Sequence, residues 1–371
     1  MSPAIRLAPQ VGRVPSSVLP LDGRGQQRFE LLMAEAPMAD LHQHTLVMPD
    51  DPTNFGAYVA TRRYTWDYEA MRAGGWGLVG AACNMTGLAR GVEGSYISFE
   101  DLVSEVGLML ADLAHQPDAE RVGRVADAER ARQEGKIGVL PVAEHLALGD
   151  EPHRVEVLYG LGVRLAGLTY TRRSALGDGQ NERTDAGLSE LGLEVVRRMN
   201  DVGMVIDLSH AGQRTAMEAI AASAAPVVFS HNAAHRLRPT RRARRDEGLL
   251  ACAERGGLVC VTAVPNSLSD DPRQDITCVL DHYDYLVNLL GVEHVGIGTD
   301  TVVGDHVGLT RLLMQRDAGS APPPAPYLDG LESPADGANI VRGLITRGYA
   351  DEDIRKIIGG NALDLLRRVV G

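Results

Sequence analysis

Short apolar runs constrain this chain more than any other feature. Most are set off from the next by a helix-compatible segment, and several end in a residue able to bind metal or move protons. "MADLHQH" ends in His42 and His44, "IGVLPVAEH" carries Glu144, "GMVIDLSH" ends in His210, "APVVFSH" in His231 and "HVGIGTD" in Asp300. The runs are rich in Val, Ile and Leu without polar alternation, the pattern of strands buried on both faces. Eight candidates fall at 39–42, 78–84, 137–144, 163–170, 204–210, 226–231, 258–263 and 294–300. Between them, 102–114, 190–200, 214–222 and 279–290 carry apolar residues at three- and four-residue spacing, as amphipathic helices do. Strand–helix alternation implies a parallel sheet, and a count of eight favours an α/β fold closed as a (β/α)8 TIM-like barrel. In such a barrel all strand C-termini open onto one face, where chemistry collects.

Residues 1–36 are read as an N-terminal extension, helical near 29–34, and 37–371 as a single barrel domain. The segments 45–74 and 301–337, the second holding "GSAPPPAPYLDG", are long loops expected to rise from the C-terminal face and shape access. The tail is read as helices over 351–358 and 361–370, separated by Gly359-Gly360. Hydrophobic residues make up 44% of the chain, enough for a sizeable core, which sets disorder aside. A net charge of −12 argues against nucleic acid or an anionic membrane as the main partner. No run has signal-peptide character or the length of a membrane span. Cys83, Cys252, Cys260 and Cys278 show no CxxC spacing, and Cys83 and Cys260 lie in apolar runs. Buried free thiols are therefore expected, and the cytoplasm is the favoured compartment.

Imidazole nitrogen and carboxylate oxygen suit zinc and related ions, and a catalytic site leaves a position open for water. His42 and His44, two apart, project to one side of an ideal strand and form a usable ligand pair. His210 and His231 end different runs 21 residues apart, a distance that fits one helix and its loops between adjacent strands. Glu144 offers two oxygens and can bridge two ions. Asp300 suits a general base for an activated water. Taken singly, each histidine reads as a satisfied polar residue at a strand end, Glu144 as a carboxylate paired with an arginine, and Asp300 as a helix cap. Their shared position at strand ends favours the metal reading.

These residues and their surroundings resemble the membrane dipeptidase (renal dipeptidase) family of the amidohydrolase superfamily. The matching stretches are "DLHQH", "LYGLGVRLAGLTYTRRSALGDG", "GLSELGLEVVRRMNDVGMVIDLSHAG", "PVVFSHNAA", "DHYDYLVNLLGVEHVGIGTD" and "RGYADEDIRKIIGGNALDLL", in the family's order over roughly 38–369. The resemblance implies a barrel and zinc-dependent hydrolysis of a dipeptide or related small amide by a hydroxide held between two ions. By motif, His42 and His44 would serve one ion and His210 and His231 the other, with Glu144 bridging and Asp300 handling the water's proton. Arg242 matches an arginine that holds the substrate's C-terminal carboxylate, a task suited to a guanidinium fork. The resemblance also implies a small-molecule substrate and a homodimer.

The chain departs from the family pattern at four places. His44 stands where aspartate is usual, and Tyr170 where several members carry a histidine that polarises the scissile carbonyl. A phenol can donate to an oxyanion, so Tyr170 is expected to bind substrate and assist catalysis. His145 replaces a common glycine, and Thr301-Val302 a usual Phe-Asp. These changes motivate an alternative chemistry on the same barrel, such as a deaminase, a lactonase or a tailoring enzyme of secondary metabolism. A catalytically silent ligand-binding barrel is the third reading.

Overall fold

The computed structural model describes residues 5–91, 97–272, 274–316 and 327–371. Nine parallel strands form one sheet: β1 Met38–Gln43, β2 Trp76–Cys83, β3 Ala119–Arg121, β4 Ile137–Ala143, β5 Leu165–Gly167, β6 Val205–Asp207, β7 Val228–Asn232, β8 Leu258–Val261 and β9 Val295–Ile297. Eight of them close in the order β1-β2-β4-β5-β6-β7-β8-β9, with Asp40 of β1 in register with Ile297 of β9. The expected (β/α)8 barrel is the observed fold, and each expected strand has its counterpart.

Strand β3 is absent from the sequence reading. It flanks the first half of β4, from Ala119 opposite Ile137 to Arg121 opposite Val139, while the second half of β4 pairs with β5. Three residues reading Ala-Glu-Arg carry no apolar run, so nothing local marks them as a strand. Several strands are also shorter than expected: β5, β6 and β9 have three residues each. Most of the chemical residues therefore sit just beyond the ladder, on the loops that leave it.

Alternation within strands sends Leu41, Leu78, Leu140, Val142, Leu165, Val205, Val228 and Leu258 into one buried cluster. Ala362, Leu365 and Leu366 join it from the C-terminal helix Asn361–Val369. The opposite faces, with Val79, Val139, Phe229, Val259 and Val295, pack in a second cluster with the surrounding helices, including Phe99–Leu113, Glu190–Val202 and Ile276–Leu290. Ser98, Ser189 and Asp275 cap these three helices at their N-termini by accepting backbone N–H bonds.

The tail differs from expectation. Gly359-Gly360 do not separate two helices; Lys356–Gly360 forms a π-helical turn that joins Asp351–Arg355 to Asn361–Val369. A Cβ on Gly359 would lie 2.0 Å from the carbonyl oxygen of Pro37, so glycine is needed there for the tail to lie against the entry to β1. Ahead of β1 lies a helix, Gly23–Glu35, longer than the expected 29–34. The loop over 45–74 contains helices Phe55–Ala60 and Tyr68–Gly74, and the loop after β9 contains His306–Arg316. The Pro-rich stretch at 319–326 lies outside the described residues. All four cysteines are free thiols, with Cys83, Cys252 and Cys260 buried. No described helix is long and apolar enough to cross a membrane.

Candidate metal centre

His42 and His231 lie inside β1 and β7, and both strands lose register there. Asp40 faces Val79 and Gln43 faces Ala81; likewise Phe229 faces Val259 and Asn232 faces Val261. Three residues on one strand thus span two on its neighbour, a bulge that redirects a side chain. The two imidazoles stack with centroids 3.6 Å apart. Glu144 follows β4 directly, and His210 and Asp300 each stand three residues beyond β6 and β9. Asp300 adopts φ 59°, a left-handed backbone that aspartate tolerates better than most residues, and its N–H donates to the His42 carbonyl at 2.8 Å.

Glu144 is the centre of the arrangement. Its Oε1 lies 3.9 Å from His42 Nε2 and 3.3 Å from His210 Nε2, and its Oε2 lies 3.7 Å from His44 Nε2. The Nε2 atoms of His210 and His231 are 3.0 Å apart. Asp300 Oδ1 lies 3.2 Å from His44 Nε2 and 3.7 Å from His42 Nε2, and Oδ2 lies 4.0 Å from His231 Nε2. Ligand atoms of His42, His44 and Glu144 fall within 4.8 Å of one another, as do those of Glu144, His210 and His231, and those of His42, His231 and Asp300. All six expected residues converge.

The donor set fits metal ions. Among the described residues, His42 Nε2 and Glu144 Oε2 are buried without a hydrogen-bond partner, a costly state unless something else satisfies them. Burial pushes the imidazoles of His42, His210 and His231 down, His42 to about 3, so they are neutral and can offer lone pairs. Burial acts the same way on His44, but Glu144 and Asp300 outweigh it and hold His44 up at about 9. Burial lifts Glu144 to about 7, against the pull of His44. Burial would raise Asp300, but its bond to His44 and the positive charges of His44 and Arg242 overcome that and hold it below the usual carboxylate range.

Supporting residues hold these ligands in place. The Ser230 hydroxyl meets His231 Nδ1 at 2.8 Å and donates to Asp207, which also accepts from the Ser209 N–H at 2.9 Å and hydroxyl at 2.6 Å. Asp40 accepts from the N–H of His42 at 2.9 Å and from the N–H and hydroxyl of Thr299 at 3.0 and 2.6 Å, tying β1 to β9 beneath Asp300. Partners of this kind fix imidazole tautomer and aim. The sequence reading missed both acids, although Ser-His occurs twice, in "DLSH" and "VFSH", with Asp207 opening the first.

Arg242 donates to the carbonyls of Ser209 and His231, the second at 2.9 Å, and so sits against the loop after β6 and strand β7. Arg241 instead points to Asn181 at an exposed position. Arg244, not singled out by sequence, is fully buried and donates to the carbonyls of Leu208, Ser209 and Ala211. The Tyr170 ring lies 4.2 Å from that of His210 and stacks at 5.2 Å on His145, at the rim of the cluster.

Comparison with known proteins bears on the family and the fold. Residues 26–315 match the family model described as membrane dipeptidase (peptidase family M19). Dipeptidase tcpJ of Claviceps purpurea is 29% identical over 276 residues, covering 72% of this chain and 58% of that protein. Dipeptidase aclJ of Aspergillus oryzae is 29% identical over 279 residues, covering 73% and 61%. The chain thus spans about three fifths of the length of these curated relatives. The crystal structure of an amidohydrolase from Pseudomonas aeruginosa superposes with a TM-score of 0.77 at 27% identity, covering 92% of this chain and 98% of that one. With 26–315 matched and the barrel in place, the chain belongs to the membrane dipeptidase family, peptidase family M19.

Proposed function

We propose that this protein hydrolyses dipeptides or closely related small amides at a two-zinc centre. The observation that carries the reading is the position of Glu144, whose two oxygens reach histidines of both ligand groups. His42 and His44 would hold one ion, His210 and His231 the other, and Glu144 both. A His-rich set with a bridging carboxylate suits zinc. Bound there, the ions would polarise the scissile carbonyl and make water nucleophilic near neutral pH.

The chain's own groups supply the rest. Asp300, kept ionised by its neighbours, takes a proton from the attacking water and returns it to the leaving amine. The Tyr170 hydroxyl, beside His210, donates to the developing oxyanion. Arg242 uses two of its N–H groups on backbone carbonyls and has three left for a substrate carboxylate. The free thiols agree with a reducing compartment such as the cytoplasm.

The test is a mixed dipeptide panel with zinc-reconstituted protein, read alongside metal content. Two ions per chain and turnover that falls by roughly 10²–10⁴ in Asp300→Asn are expected. Asparagine tolerates the left-handed backbone at 300, so this variant removes the base and leaves the turn intact. Full metal loading with no turnover of any dipeptide would sink the dipeptidase reading and favour a specialised amide or ester.

A further inference from the structure

A cavity of about 150 Å³ opens beside Asp300, on the β8–β9 side of the centre. Its walls include Ala263, Val264, Val302, Leu328 and Leu331, and its polar groups include His306 and Glu332. Glu332 is 7% exposed, and its Oε2 finds no hydrogen-bond partner among the described residues; nor does His306 Nε2. The other oxygen, Oε1, lies 3.5 Å from His306 Nδ1. Asp300, Thr301 and Thr310 complete the polar lining, and a buried carboxyl with a spare acceptor is costly unless a ligand completes it.

Resting on the dipeptidase reading, we infer that this cavity receives the side chain of the substrate's amino-side residue and selects a basic one. The apolar walls would cover an aliphatic stem, and Glu332 would meet the cationic end. Two further observations support this assignment. Arg242, the candidate for the carboxylate-bearing half, bonds the carbonyls of Ser209 after β6 and His231 in β7 and does not line this cavity. Arg13, whose charge acts on Glu332, is turned to Asp305 at 3.7 Å and donates to the Tyr327 hydroxyl at 3.2 Å, so it forms no ion pair with Glu332.

Protonation is consistent with the same chemistry. Burial lifts Glu332 to about 9 and pushes His306 down to about 4, so both are neutral at pH 7 without a partner. A lysine-like ammonium, with an ordinary value of about 10.4, keeps its proton in preference to Glu332 and leaves a carboxylate facing it. A norleucine side chain has the same stem and offers no such partner.

The experiment compares kcat/KM for Lys-Ala and norleucyl-Ala in zinc-loaded wild type, Glu332→Gln and His306→Gln. Wild type is expected to favour Lys-Ala by roughly 10- to 100-fold, the range of a buried charge-assisted hydrogen bond. Glu332→Gln should bring the ratio close to one, and His306→Gln should lower it less. Because the ratio is internal to each preparation, a partly misfolded variant does not distort it. A wild-type ratio near one, or a ratio unmoved by Glu332→Gln, overturns the inference. If neither dipeptide turns over, calorimetric titration of the zinc-loaded protein with the same two compounds separates the claims. Tighter binding of Lys-Ala, lost in Glu332→Gln, keeps the pocket and removes the reaction; equal or absent binding removes the pocket.

Discussion

Glu144 and His44 set the behaviour of the centre at the scale of single residues. Removing the charge of Glu144 while keeping its shape, as in Glu144→Gln, should reduce zinc content from the two ions per chain proposed for the wild type to one or fewer, as measured by elemental analysis. His44 leads to a pH prediction. Its folded value of about 9 lies above the ordinary histidine value of about 6.5. The stability it gives the metal-free fold is therefore complete below about pH 6.5 and fades as pH rises through about 9. Zinc must displace that proton, so affinity should climb between pH 7 and 9 with proton release at pH 7.5, seen by calorimetry in buffers of different ionisation enthalpy. Ser230→Ala tests the supporting groups. Loss of the contact to His231 Nδ1 should weaken zinc binding roughly 10- to 100-fold in chelator competition.

Two elements, β7 and β9, bring Ser230 and His231 into place, and a glycine permits it. A Cβ on Gly298 would stand 1.5 Å from the Ser230 carbonyl oxygen, far inside contact distance. Gly298→Ala must push β9 and β7 apart, at a cost of about 1–3 kcal/mol or more. A lowered denaturation midpoint together with weakened zinc binding is the expected result; a loss of stability alone would show that the bulge at His231 tolerates the shift. The bulge in β1 has the corresponding role for His42. No residue type in "DLHQH" announces a bulge, because it is set by pairing with a strand some forty residues away.

The barrel as a whole has two ends with different tasks. The candidate metal centre lies at the C-terminal ends of the strands, while Ala362, Leu365 and Leu366 of the tail helix pack into the interior cluster with Leu41, Leu78 and Leu258. Leu365→Ala should therefore cost about 2–5 kcal/mol of stability and still leave the wild-type metal content at low temperature. Parallel loss of metal would mean that the two ends are coupled.

Much of this molecule was legible in its sequence. Periodicity gave eight barrel strands, since a strand covered on both faces must be apolar throughout, and strand ends gave His42, His44, Glu144, His210, His231 and Asp300 as a convergent set. Those are local signals, written in consecutive residues. Tertiary structure alone decided the rest. The Asp207–Ser230–His231 contacts, the burial of Arg244, the approach of Gly359 to Pro37 and the cavity at His306 and Glu332 all join residues distant in the chain. Each depends on which groups burial leaves facing one another, a property of the closed barrel that no single segment carries.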